Sequence, residues 1–157
     1  MCIRDSYLGL GDLFVVLFFG LFAVGGTFYL QTLRLLPVTF LIGLQIGFLA
    51  TVLIAINNLR DSDTDKSVNK KTLAVRFGDS FVQWEIILLI FGAYGILFLL
   101  PYSRWILLPF MSFPVALLLM GQILKVKDKR QLNNSLAWAG FLQLFFGCLL
   151  AAGLVLS

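Results

Sequence analysis

Residues 35–57 read LLPVTFLIGLQIGFLATVLIAIN, and residues 58–66 follow as NLRDSDTDK. The first stretch holds 23 residues without a charge. As a helix it would cross a hydrocarbon core of about 30 Å, which needs about 20 residues. The second sets Asp61, Asp63 and Asp65 beside Arg60 and Lys66 at the end of that run. Charges are costly at membrane depth, so such a cluster marks an ion or anionic-substrate site. The uncharged run makes this an all-α integral membrane helical bundle, and the charged end is where its chemistry is to be sought.

Four more uncharged runs lie at residues 13–33, 86–100, 105–124 and 136–156. Residues 86–100 form the shortest, extending back to about Phe81 with Glu85 near the interface. None alternates apolar and polar residues as a barrel strand would. Helices satisfy their own backbone in lipid, so about five transmembrane helices are expected. The chain is 60% hydrophobic and 13% charged, far from the composition of a soluble domain.

Charge placement predicts orientation. Arg60, Lys66, Lys70, Lys71 and Arg76 follow the second run, and Lys125, Lys127, Lys129 and Arg130 follow the fourth. The opposite side has Arg34 and Arg104. The basic side is therefore expected in the cytoplasm. That gives a multi-pass protein of the cell (inner) membrane with the Asp-rich loop inside. Trp84 and Trp138 would sit at the inner interface, and Tyr29, Tyr102 and Trp105 at the outer one.

Several classes are excluded. With no histidine there is no His-based zinc site and no His general base. Cys2 and Cys148 are far apart, and Cys148 lies in an apolar run, so no disulfide framework is expected. The basic residues sit in loops between apolar runs, so no nucleic-acid partner is expected. Met1–Ser6 has no cationic leader with an adjoining apolar core.

Asn57, Asp61 and Asp65 recur every four residues, so a continuing helix would stack them on one face, with Asp63 pointing away. An EF-hand reading fails, because Lys66 stands at its glycine position and Thr72 at its bidentate glutamate position. The plain alternative is a solvated loop whose acids and bases neutralise one another. Hard oxygen ligands beside cations suit Mg²⁺ and a diphosphate together. Residues 67–78 read as a short amphipathic helix, capped by Ser67 or Asn69 and ended by Gly78. Pro109 and Pro114 are expected to bend the fourth span. Gln143 is expected to make an interhelical hydrogen bond. Phe14, Phe18, Phe19 and Phe22 are expected in lipid contact or packing. Asp12 reads either as a helix N-cap or as a group near the acceptor or diphosphate.

The run Asn57-Asn58-Leu59-Arg60-Asp61-x3-Asp65-x3-Asn69-Lys70-Lys71-Thr72-Leu73-Ala74-Val75-Arg76-Phe77-Gly78 resembles the second aspartate-rich motif of the UbiA superfamily of membrane prenyltransferases. It is most similar to the branch acting on 1,4-dihydroxy-2-naphthoate in menaquinone (or phylloquinone) biosynthesis. Asn69 stands where that pattern has glycine. Gly9-Leu10-Gly11-Asp12 and Gly26-x2-Tyr29-Leu30-Gln31 match the pattern upstream.

The resemblance implies Mg²⁺ on Asp61 and Asp65, with the diphosphate of a polyprenyl donor held by Asn57, Asn58, Arg60, Lys66, Lys70, Lys71, Arg76 and Asp12. It implies transfer of the polyprenyl group to an aromatic acceptor, 1,4-dihydroxy-2-naphthoate with loss of CO₂, within membrane lipid. It also implies nine spans and a first aspartate-rich motif that nothing here matches. Residues 7–157 are then expected to be the last five of nine spans and inactive alone, with residues 1–6 a non-native leader or scar. The alternatives are a UbiA-type enzyme with another aromatic acceptor and a fragment of a non-enzymatic membrane transporter. A transporter should carry polar groups through the middle of several spans, whereas these acids gather at one end.

Overall fold

The computed structural model describes residues 10–100, 104–126 and 128–157. Met1–Ser6, Cys2, Gly9, Tyr102 and Lys127 lie outside the described residues. Five helices are long and apolar enough to cross a membrane. They are α1 (Gly11–Thr32), α2 (Pro37–Ser67), α4 (Asp79–Leu99), α5 (Arg104–Lys125) and α6 (Lys129–Leu156). A one-turn helix, α3 (Leu73–Phe77), joins α2 to α4. Among the described residues there is no strand, and the expected all-α membrane bundle is borne out.

Helix α2 is the hub and touches α1, α3, α4 and α6. Leu36 is extended and Pro37 opens the helix, where a missing N–H costs nothing. Gln45, Leu49, Val52, Ile56 and Leu59 are buried at steps of four and three, which is one helical face. That face meets Val82, Ile86 and Ile90 of α4 in a core shared with Leu119 and Ile123 of α5 and Leu142 and Phe146 of α6. Lipid is as apolar as these side chains, so close packing and interhelical hydrogen bonds hold the bundle rather than burial from water.

Two such bonds come from α2 and α4. Gln45 Nε2 donates to the Ala93 carbonyl at 3.0 Å, and Gln83 Nε2 to the Ile123 carbonyl at 3.0 Å. Gln143 makes no such bond among the described residues. Its side chain is only partly buried, at the edge of the face formed by Ala139, Leu142 and Phe146.

The α1–α2 seam is glycine-lined. A Cβ on Gly20 would lie 2.5 Å from the Gly43 carbonyl oxygen and 2.8 Å from the Gly47 Cα. Backbones can approach that closely only without side chains. Residues Val16–Phe22 of α1 are π-helical. Phe18, Phe19 and Phe22 are turned outward, and Phe14, Phe18 and Phe22 stack along the same helix.

The fourth span changes helix type between its two prolines. Arg104–Ser112 is a 3₁₀ helix containing Pro109, and Phe113–Lys125 is α-helical with Pro114 in its first turn. Trp84, Trp138, Tyr29 and Trp105 are all exposed, as a belt of aromatics at the two interfaces requires.

The expected helix over 67–78 is shorter. Helix α2 continues to Ser67, and the next helix begins only at Leu73. Its cap is Thr72, whose Oγ1 accepts from the Val75 N–H at 3.4 Å, rather than Ser67 or Asn69. Gly78 ends it with φ 86°, as the glycine suggested.

Candidate functional site

No glycine or proline interrupts residues 57–67, so α2 runs on past its apolar length. Asn57, Asp61 and Asp65 therefore line one cleft. Asp63 faces away, with its side chain 83% exposed against 8% for Asp65.

Arg60 grips Asp61 with two parallel bonds, Nε to Oδ1 and Nη2 to Oδ2, both at 2.7 Å. The guanidinium also donates to Asn57 Oδ1 at 2.8 Å and to Asn133 Oδ1 of α6 at 2.9 Å. Lys70 Nζ lies 2.8 Å from Asp65 Oδ1. This return is made by Asn69, which has φ 58°, and by the Lys70 N–H bonding the Asp65 carbonyl at 3.0 Å. The left-handed region favours glycine and next asparagine, which accounts for Asn69 standing in a glycine position.

Asp12 is not a cap. The cap position of α1 is Leu10, with no side-chain bond, and Asp12 lies in the first turn. The Gly20 seam holds α1 against α2, so Asp12 is buried in the wall of the same cleft. Asn58 Nδ2 donates to its Oδ1 at 3.4 Å, and Thr51 Oγ1 to its backbone carbonyl at 3.4 Å.

The cleft holds about 180 Å³, below the roughly 300 Å³ of a small-molecule pocket. It has room for a charged head group and not for a long apolar tail. Asp12, Asp61 and Asp65 against Arg60 and Lys70 leave one net negative charge. A larger crevice of about 670 Å³ between α5 and α6, lined by Leu117, Gln122 and Lys125, has no carboxylate.

Of the cations expected at the site, Lys70 lines the cleft and Arg60 stands behind Asp61. Lys66 borders a separate cleft with Asp63, Asp79 and Lys129. Lys71 and Arg76 are exposed and outside the cleft wall.

The model of the UbiA prenyltransferase family matches residues 5–150. The chain belongs to that family.

Curated UbiA-type relatives agree. The chain is 33% identical over 151 residues to the 1,4-dihydroxy-2-naphthoate octaprenyltransferase of Mycobacterium tuberculosis, covering 95% of this chain and 51% of that one. To the enzyme of the same name from Mycobacterium leprae it is 31% identical over 154 residues, 97% of this chain and 52% of the relative. A shorter match, 46% identical over 74 residues, links it to the Escherichia coli protein of that name, 47% of this chain and 24% of the relative. The chain spans about half the length of the mycobacterial relatives it matches. No solved structure matches it.

UbiA prenyltransferases generally use a divalent metal. Among the described residues no three acidic or cysteine side chains cluster to hold a metal by themselves. The donors nonetheless fit. Asp61, Asp65 and the Asn57 amide are hard oxygen ligands, and Mg²⁺ is usually held by one or two carboxylates plus substrate phosphates.

Sequence reasoning missed Asn133, Lys129, Asp79 and Ser62. Lys129 Nζ bonds Ser62 Oγ at 2.6 Å, Asp63 Oδ2 at 3.0 Å and Asp79 Oδ2 at 3.2 Å. This knot ties α6 to α2 and α4 on the face opposite the cleft. Lys129 had a place only as a topology signal, because a charge in a loop carries no sign of its partner.

Proposed function

We propose that this chain forms the diphosphate-binding half of a UbiA-type enzyme that transfers a polyprenyl group to 1,4-dihydroxy-2-naphthoate, with loss of CO₂, in quinone biosynthesis. The observation that carries the reading is the convergence of Asp12, Asp61, Asp65 and Lys70 on one small cleft at the end of α2. Its net negative charge repels a bare diphosphate and admits one that arrives with a cation.

Mg²⁺ shared by Asp61, Asp65 and the diphosphate would supply positive charge against the leaving group. Arg60 fixes both oxygens of Asp61, and Lys70 can turn from Asp65 to a phosphate oxygen. Asn57 and Asn58 contribute amide groups to the same wall. The apolar spans around it keep water from the reacting carbon. The cleft lies at the cytoplasmic face of the inner membrane in this reading, by the loop-charge asymmetry. A transporter would need polar groups along several spans. Gln45 is buried in mid-span, with its Nε2 bound to the Ala93 carbonyl and its Oε1 without a partner among the described residues, and it is one group on one span.

The test is a chimera in which residues 10–157 replace the matching half of the M. tuberculosis relative. Membranes carrying it are given dihydroxynaphthoate, a polyprenyl diphosphate and Mg²⁺. Prenylated product is expected, absent with Asp61→Asn or Asp65→Asn and retained with Asp63→Asn. Equal loss from all three would refute the one-face site.

A further inference from the structure

Arg60 has five N–H donors, and their partners can be followed one by one. Nε and Nη2 hold the two oxygens of Asp61. Nη2 also reaches Asn57, one turn back on the same helix. Nη1 donates to Asn133 Oδ1 at 2.9 Å, and Asn133 lies on α6, 73 residues further along. Among the described residues it is the one hydrogen-bond partner of Arg60 that comes from another helix. A guanidinium on a flexible stem turns freely unless both ends of its fork are held. Asn57 and Asn133 grip the two Nη groups and fix the plane against which the Asp61 carboxylate lies.

We infer that Asn133 is a positioning residue for the metal–diphosphate site, acting through Arg60 on Asp61. The inference rests on the proposed function for that site. Asn133 is not among the residues that line the cleft, and its effect is to hold the Asp61 oxygens where a cation in the cleft meets their free lone pairs. Helix α6 thereby becomes part of a site whose acidic side chains all lie on α1 and α2.

The geometry allows a clean test. Asn133 is exposed on a helix, so alanine there removes no core packing. Lys129, four residues earlier, binds Ser62, Asp63 and Asp79 independently. Helix α6 therefore stays anchored when Asn133 is lost.

The full chain is reconstituted in lipid nanodiscs and titrated with Mn²⁺ and inorganic pyrophosphate, with free Mn²⁺ read by electron paramagnetic resonance. The wild type is expected to bind the pair and Asp61→Asn to lose it. Asn133→Ala is expected to weaken binding about threefold to tenfold, the loss of one hydrogen bond to a charged group at a partly exposed position. Asn133→Asp keeps an acceptor for Nη1 and is expected to keep wild-type affinity, while the SDS unfolding midpoint of Asn133→Ala stays at the wild-type value, an outcome that a role in stability alone does not predict. Wild-type affinity in Asn133→Ala, with Asp61→Asn still defective, overturns the positioning role and leaves the site standing. Failure of the wild type to bind, or unchanged binding in Asp61→Asn, overturns the site and the inference together.

Discussion

Lys70 returns to Asp65: its Nζ lies 2.8 Å from Oδ1, and its backbone N–H bonds the Asp65 carbonyl at 3.0 Å. One residue makes this possible. Asn69, at φ 58°, reverses the chain as α2 ends and turns the following lysine back over the cleft. The cation at the cleft wall is thus placed by backbone conformation.

Asn69→Gly should keep the turn, since glycine adopts that conformation without a Cβ clash. Asn69→Val should cost about 1–2 kcal/mol, the penalty for an L side chain in the left-handed region. The midpoint of unfolding in SDS measures both. A valine variant as stable as the glycine variant would show that the turn is not held as described.

The α1–α2 seam sets the position of Asp12. Gly20→Val would drive a Cβ into the backbones of Gly43 and Gly47, and backbone cannot step aside as a side chain can. A loss of about 3 kcal/mol is expected, as for overpacking a tight contact. Gly26→Ala meets nothing within 4 Å and should be neutral or slightly stabilising. Disulfide trapping between cysteines placed on α1 and α2 would report the separation, which should grow in Gly20→Val alone.

Lys129 binds one hydroxyl and two carboxylates, and its side chain is only 26% exposed. Lys129→Ala should loosen the starts of α4 and α6 by about 1 kcal/mol, most of it from Asp79 and Ser62 because Asp63 is solvated. Hydrogen exchange at residues 79–82 should quicken. Raising salt on the wild type should reproduce part of that change, since partly exposed pairs are screened.

Ser67 is exposed at the end of α2. In cells carrying Ser67→Cys, with Cys2 and Cys148 replaced by serine, an impermeant maleimide should label only after the membrane is opened. Labelling of intact cells would invert the orientation drawn from the loop charges.

Much of this was legible in the residues themselves. A run of 23 uncharged residues must be helical in lipid, because no other backbone arrangement within one segment satisfies its own N–H and C=O groups. The one-face stacking of Asn57, Asp61 and Asp65 was equally legible, because positions four apart on a helix are neighbours whatever surrounds it. The short helix after α2 starts later than its residues suggest, at Leu73. Ser67 and Asn69 can cap a helix in principle, but Ser67 is still the last residue of α2, and Asn69 makes the reversal.

The sequence by itself determined the membrane helices, the clustering of charge at the end of α2, and which of its acids share a face. Only the tertiary structure decided that Asp12 joins the wall of the cleft, that Asn133 holds Arg60, and that Lys129 binds Ser62, Asp63 and Asp79. The physical reason is that periodicity fixes neighbours within one helix. The rotation and approach of one helix against another are set by contacts such as Gly20 on Gly47, between residues far apart in the chain.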